Sequence, residues 1–181
     1  MRSPPFEVPV PVNSRIAERL SGASFYDAWR VTSSQHERSA LEHFLAASQK
    51  TPRWVNLAMT ARNRIVRLAG LKNLGTLSAV DRARPLDSYL PGDRVGIFTL
   101  FENSFDEVLL GDCDKHLDVV LSVHRRPLED QSAVEITLTT VVHVKNWLGR
   151  LYMLPVTPAH RRIAPAVLAS IAGPRESVLG V

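Results

Sequence analysis

The sequence predicts an α+β domain, an antiparallel sheet closed off by a long C-terminal helix. Three observations carry this reading. Residues 133 to 172 read as a long alternating strand that feeds directly into a long helical stretch. The other strand-like segments follow one another across short turns. The helix-like segments are grouped instead of interleaved with strands, which argues against a βαβ fold.

At 181 residues the chain has the size of one domain with a core of its own. Hydrophobic residues at 45% and charged residues at 22% exclude disordered and fibrous classes. The net charge of +4 invites a nucleic-acid reading. The basic residues gather at Arg53, Arg62, Arg64, Arg67 and Lys72, and again at Arg161 and Arg162, with no aromatic-interleaved basic strand pattern. A solvated helix face explains them, and no nucleic-acid partner is expected. The single cysteine, Cys113, excludes an intramolecular disulfide and a Cys-based metal site. The first residues lack the apolar run of a secretory signal, and no apolar stretch is long enough to span a bilayer. The expectation is a cytoplasmic protein with no transmembrane segment.

Residues 1 to 12, with Pro4, Pro5, Pro9 and Pro11, read as an extended proline-rich arm; residues 13 to 181 read as a single domain. Asn13 could cap a short helix through Leu20. Residues 24 to 31 alternate as a first strand, with Phe25, Asp27, Trp29 and Val31 on one face. Ser34 with Glu37 has the capping-box pattern and opens a helix carrying Leu41, Phe44 and Leu45. Thr51-Pro52 starts a second helix that runs to about Ala69, with Trp54, Leu57, Ala58, Ala61, Ile65 and Leu68 on one face and Gly70 as its stop. Residues 71 to 93 read as a loop.

Residues 95 to 102 and 105 to 111 read as a hairpin turning at Asn103-Ser104, and residues 116 to 124 as the next strand. In the longest strand Val134, Ile136, Leu138, Thr140, Val142 and Val144 form one apolar face. Glu135, Thr137, Thr139 and His143 point the other way, as the wet face of a sheet covered on one side. The C-terminal helix must supply the cover, through Leu148, Leu151, Tyr152, Ile163, Val167 and Ile171. Pro155 and Pro158 interrupt it, and Pro165 adds a further bend, so a kinked or two-segment helix is predicted.

Three stretches carry a family resemblance. They are Trp54 with Arg62-Asn63; Gly96-Ile97-Phe98 with Glu107 to Gly111 and Asp114 to Leu117; and Thr140 to His143 through Asn146, Gly149-Arg150 and Tyr152 to Pro158 and His160. With Phe25 to Trp29 they resemble, over about residues 24 to 172, an uncharacterised bacterial domain-of-unknown-function family. The element order looks like the helix-grip fold of the START and polyketide-cyclase-like (SRPBCC) superfamily. The resemblance implies a curved antiparallel sheet wrapped around a long kinked C-terminal helix, with an apolar cavity between them. The chain departs from the family pattern at Cys113, Lys145 and Ala159.

Several polar groups are candidate site residues, each with a plain structural alternative. Asp112, Asp114, His116 and Asp118 could bind a cation or supply an acid–base pair, or could simply cap a solvated turn. His143, Asn146 and Arg150 stand at the strand-to-helix joint, where they could meet a carboxylate or carbonyl. Alternatively, Asn146 caps the helix and His143 points outward. His160 follows Pro158 and could satisfy only a local hydrogen bond. Trp54 reads as core, and Arg62 and Asn63 could pair with Glu102 or Glu107. The ligand-binding set expected from all this is Trp54, Arg62, Glu107, His116, His143, Arg150 and Tyr152. No phosphate loop, nucleophile elbow or paired-histidine zinc helix occurs, and no cofactor or metal is expected.

The leading functional expectation is an apolar small molecule, such as a lipid, isoprenoid or polyketide, bound between sheet and helix. The alternatives are a cyclase- or dehydratase-like enzyme of the same fold using a cavity His, Asp or Arg, and a protein-interaction or regulatory module. A homodimer is compatible with each.

Overall fold

The computed structural model describes residues 4–68, 84–129 and 132–172, with the backbone alone for 61–68. Seven strands form one fully antiparallel sheet: β1 (Phe6–Glu7), β2 (Phe25–Ser33), β3 (Arg94–Val95), β4 (Phe98–Asn103), β5 (Glu107–Cys113), β6 (Leu117–Pro127) and β7 (Val134–Val144). Their order across the sheet is β1-β2-β7-β6-β5-β4-β3. The two longest strands, β6 and β7, therefore sit at its centre, and the N-terminal strand pairs with the last one. Among the described residues three α-helices accompany the sheet: α1 (Ala40–Gln49), α2 (Arg53–Leu68) and α3 (Trp147–Leu168). No described helix is long and apolar enough to cross a membrane.

Local chemistry accounts for the strand breaks. The stretch read as one strand over residues 95 to 102 is two, because Gly96 turns the chain at φ 60° between Val95 and its partner Phe98. A positive φ at the first position of a two-residue hairpin loop is supplied by glycine without steric cost. On the other side of β4 the register slips at Phe101, which stands between the Leu100–Leu110 and Glu102–Leu109 pairs as a bulge. Its ring covers Gly111, where an added Cβ would stand 2.5 Å from the ring and 2.4 Å from the Val119 carbonyl oxygen.

The capping box predicted at Ser34 and Glu37 lies five residues later. The Ser39 hydroxyl accepts from the Glu42 N–H, and the Glu42 carboxylate accepts from the Ser39 N–H. Both pairs have the same spacing, so the pattern alone does not choose between them. Ala40 and Leu41 become fully buried once the helix starts at the later pair. Thr51 does not open α2 as a cap; its hydroxyl donates to the Ser48 carbonyl at 2.7 Å and so closes α1. The predicted stop at Gly70, the loop from residue 71 to 83 and the side chains of Ala61, Ile65 and Leu68 lie outside the described residues.

α3 is one helix from Trp147 to Leu168 with Pro155, Pro158 and Pro165 inside it, so the predicted two-segment form gives way to a continuous one. Each proline deprives the carbonyl four residues earlier of its partner. Those carbonyls belong to Leu151, Leu154 and Arg161, all exposed residues, where water can serve them.

Both faces of the sheet are covered. One face, carrying Val31, Leu110, Leu121, Val123 and Ile136, packs against Leu41, Phe44 and Leu45 of α1 and Leu168 and Ile171 at the end of α3. α1 thus shares the cover that was expected from the C-terminal helix alone. The opposite face is not wet: Thr137 and Thr139 are buried. A 3-10 turn at Arg15–Arg19 lies over it, and Ile16 packs with Leu109, Val120 and Val141. Phe6 and Glu7 of the proline-rich segment add β1 to the edge of β2. Trp54, expected in the core, is 49% exposed, whereas its neighbour Val55 is fully buried.

The joint between β7 and α3 is tied by Asn146. Its Oδ1 accepts from the Gly149 N–H at 3.1 Å, its amide nitrogen donates to the Lys115 carbonyl at 2.9 Å, and its amide group lies against His116 Nδ1. A Cβ on Gly149 would stand 2.5 Å from the His116 carbonyl oxygen, so the first turn of α3 sits against the start of β6 as closely as glycine permits. Gly149→Ala is expected to destabilise the fold by about 1–2 kcal/mol despite the better helix propensity of alanine. Urea unfolding measures this; a midpoint equal to or above that of the parent protein would show that the turn moves away freely.

Candidate functional site

Between the sheet and the helices lies a cavity of about 500 Å³. Its floor is the sheet face carrying Leu117, Val119, Leu121, Val123, Leu138 and Val142, which alternation along β6 and β7 brings onto one side. Its walls are Phe44 and Ala47 of α1, Ala58 and Met59 of α2, and Met153, Val156, Ile163 and Val167 of α3. The lining is overwhelmingly apolar.

A few polar side chains interrupt this lining. His160 of α3 is the most organised of them: its Nε2 lies 3.1 Å from Oδ1 of Asp27 on β2. The Asp27 side chain is wholly shielded from solvent, and its other oxygen accepts the indole N–H of Trp29 at 3.0 Å. Phe25, two residues along the same strand face, stands edge-on to the imidazole with centroids 5.7 Å apart. No hydrogen bond occupies His160 Nδ1 among the described residues. Directly across the β2–β7 pair from Asp27 is Thr140, whose buried hydroxyl lacks a hydrogen-bond partner there.

Asp112 on β5 and Tyr152 on α3 also line the cavity, and Asp112 faces the Arg94 guanidinium at 3.4 Å. Asp114 lines it too, but its Oδ1 accepts the N–H groups of His116 and Leu117 at 2.6 and 2.9 Å, the turn-capping role. Asp118 pairs with Lys145 at 2.6 Å. The acidic cluster read from the sequence is therefore spread over separate partners. Among the described residues no group of three or more His, Cys, Asp or Glu is placed to hold a metal ion.

His43 of α1 is fully buried beside the cavity. Burial, reinforced by the Arg38 guanidinium, pushes its pKa down to about 4, and the Gln35 carbonyl approaches the ring without reaching good hydrogen-bond geometry. Its folded pKa is thus depressed below 6.5, so the unfolded chain binds the extra proton as pH falls through the window from 6.5 to 4. Between pH 7 and pH 5 this group alone is expected to remove about 2 kcal/mol of stability. His43→Leu should flatten that dependence in denaturant titrations at the two pH values; an unchanged slope would show that His43 does not carry it.

Of the residues expected around a ligand, the structure places Tyr152 on the cavity wall and Trp54, Glu107, His116, His143 and Arg150 elsewhere. Trp54 is half exposed on α2, and the Arg62 side chain lies outside the described residues. His116 belongs to the Asn146 joint. Arg150 is exposed on the outer side of α3. His143 lies on the opposite face of the sheet, its Nε2 donating to the Arg19 carbonyl at 2.9 Å.

Glu107 is on that opposite face as well. It accepts from the Ser14 and Ser122 hydroxyls, both at 2.5 Å, and from the Arg15 N–H at 2.9 Å, and so caps the 3-10 turn. Its cross-strand neighbour His124 is buried, and that burial holds the imidazole pKa below its ordinary value. Glu107→Ala would leave two buried hydroxyls and the Arg15 N–H unserved and should cost about 2–4 kcal/mol in equilibrium unfolding. A loss well under 1 kcal/mol would mean that the turn is held by its apolar contacts instead.

Sequence reasoning missed the Asp27–His160 pair because its members are 133 positions apart. The available signal was Asp27 on the apolar face of its strand, between Phe25 and Trp29, where a lone carboxylate needs a partner.

No curated protein and no solved structure matches the chain. A family profile does match it over residues 19–167, from the 3-10 turn to the penultimate residue of α3. On that match the chain belongs to the family described as Protein of unknown function (DUF2867).

Proposed function

We propose that the protein binds an apolar small molecule, of the lipid, isoprenoid or polyketide kind, in the cavity between the sheet and α3, as a member of the helix-grip superfamily. One observation carries the reading: a cavity of about 500 Å³ with apolar walls and a few convergent polar groups. That volume falls within the range of roughly 300–1,000 Å³ typical of small-molecule sites. A seven-stranded antiparallel sheet facing a long C-terminal helix supports the superfamily reading.

Titration with the fluorescent apolar probe N-phenyl-1-naphthylamine tests this. The full chain is expected to bind it saturably with one site. Ala159→Trp sets an indole at a cavity-lining position of α3 that is exposed enough to tolerate it, and should weaken binding at least about tenfold. Native mass spectrometry of protein from its own host should show a co-purifying apolar mass. Absence of saturable binding by the folded protein, or equal binding by the folded variant, would overturn the proposal.

A further inference from the structure

We infer that Asp27 and His160 are a proton-transfer dyad, with His160 Nδ1 the general base toward an apolar carbon acid held in the cavity. The substrate class is a carbonyl compound with a C–H bond beside the carbonyl. The inference rests on the cavity reading above and adds chemistry to it.

Asp27 is the first reason. Its side chain has no exposure to water and sits in an apolar row of the sheet between Phe25 and Trp29. A carboxylate in such a place is costly, and a packed apolar pair would tether α3 to β2 at least as well. The geometry around it is specific: the Trp29 indole fixes one oxygen and His160 Nε2 takes the other. Accepting from Nε2–H sets the tautomer, which leaves the lone pair on Nδ1. That nitrogen has no hydrogen bond among the described residues, and the ring lines the cavity with 22% of its side-chain surface accessible. A buried carboxylate on one nitrogen and a bare lone pair on the other are the two requirements of an imidazole base.

The step balances without an oxidant or second substrate. The C–H bond breaks, its proton passes to Nδ1, and Asp27 stabilises the imidazolium. The C–H electron pair becomes a C=C bond while the carbonyl pair moves onto oxygen, giving an enolate. The Thr140 hydroxyl, across from Asp27, is a donor left over for such an oxygen. Where a β,γ C=C bond is conjugated with that enolate, return of the proton from Nδ1 to the γ-carbon shifts the double bond and completes an isomerisation.

The test uses 5-nitrobenzisoxazole, whose ring opening needs only a base in an apolar site. Its C3 proton goes to Nδ1, the C–H pair becomes the third bond of a nitrile, and the N–O bond breaks to release a coloured phenolate. The full chain is expected to open it saturably. His160→Ala, with an unchanged Tm, should lower kcat about 10²-fold or more, and added imidazole should restore at least about tenfold. Asp27 acts through His160, so its readout is different. Asp27→Asn keeps an acceptor for Nε2–H but loses the charge, and should lower kcat about tenfold or more with KM within about twofold. Equal turnover by the parent and His160→Ala, while N-phenyl-1-naphthylamine still binds, would make the pair a tether and overturn the dyad alone. Failure of both probes to bind the folded protein would overturn the dyad and the cavity reading together.

Discussion

The close seat of the first turn of α3 on the His116 carbonyl is the constraint on which the rest of the molecule depends. Gly149 lets the helix approach there, and the Asn146 side chain ties it to the start of β6. At the other end Ala164 and Leu168 are buried, and Leu168 packs into the main core with α1. Among the residues of α3 only Gly149, Ala164 and Leu168 are buried. The middle of the helix is held off the sheet between two clamps, and the cavity is the space left under the span. The Asp27–His160 hydrogen bond is the polar link across that span.

Such a span needs a stiff sheet beneath it. β2, β7, β6 and β5 pair over nearly their whole lengths, and the second face is closed by the 3-10 turn and its polar anchor. Glu107 gathers the Ser14 and Ser122 hydroxyls and the Arg15 N–H, and so anchors the 3-10 turn over this face. That cover explains why Thr137 and Thr139, read as wet, are buried. Thr and Ser alternate with apolar residues in the same way whether water or a packed turn lies over them.

The sequence exposes the periodic parts of this architecture and hides the long-range ones. β7, the grouping of helices, the N-cap at Asn146 and the long C-terminal helix follow from spacing and capping chemistry that act within a few residues. The position of the capping box was ambiguous because two equivalent pairs stand five residues apart, and only burial of Ala40 and Leu41 selects the second. The site was less legible. Tyr152 follows from its place on the covering helix, but His143 and Glu107 lie one register position from the cavity face, and in a strand that single step exchanges faces. His160 depended on how α3 crosses β2, which no local pattern encodes.

Strand register also gives the cavity a direction. Phe25, Val142, Val119 and Asp112 form one row across the sheet, with His160 set against Phe25 and Tyr152 further toward the helix N-terminus. Two positions along each strand in steps of two, the row of Trp29, Leu138, Val123 and Val108 carries no charge and faces Phe44 and Leu168 in the main core. Charged groups therefore gather toward the Asn146 end of the span, and the Leu168 end is apolar but for His43 and Ser48 of α1. A ligand seated on the proposed reading would place its carbonyl or other polar group near His160 and run its apolar part toward α1. That orientation brings the polar atoms of the ligand to the dyad and leaves the apolar end to the packed core. Binding and proton transfer then draw on opposite ends of the same cavity.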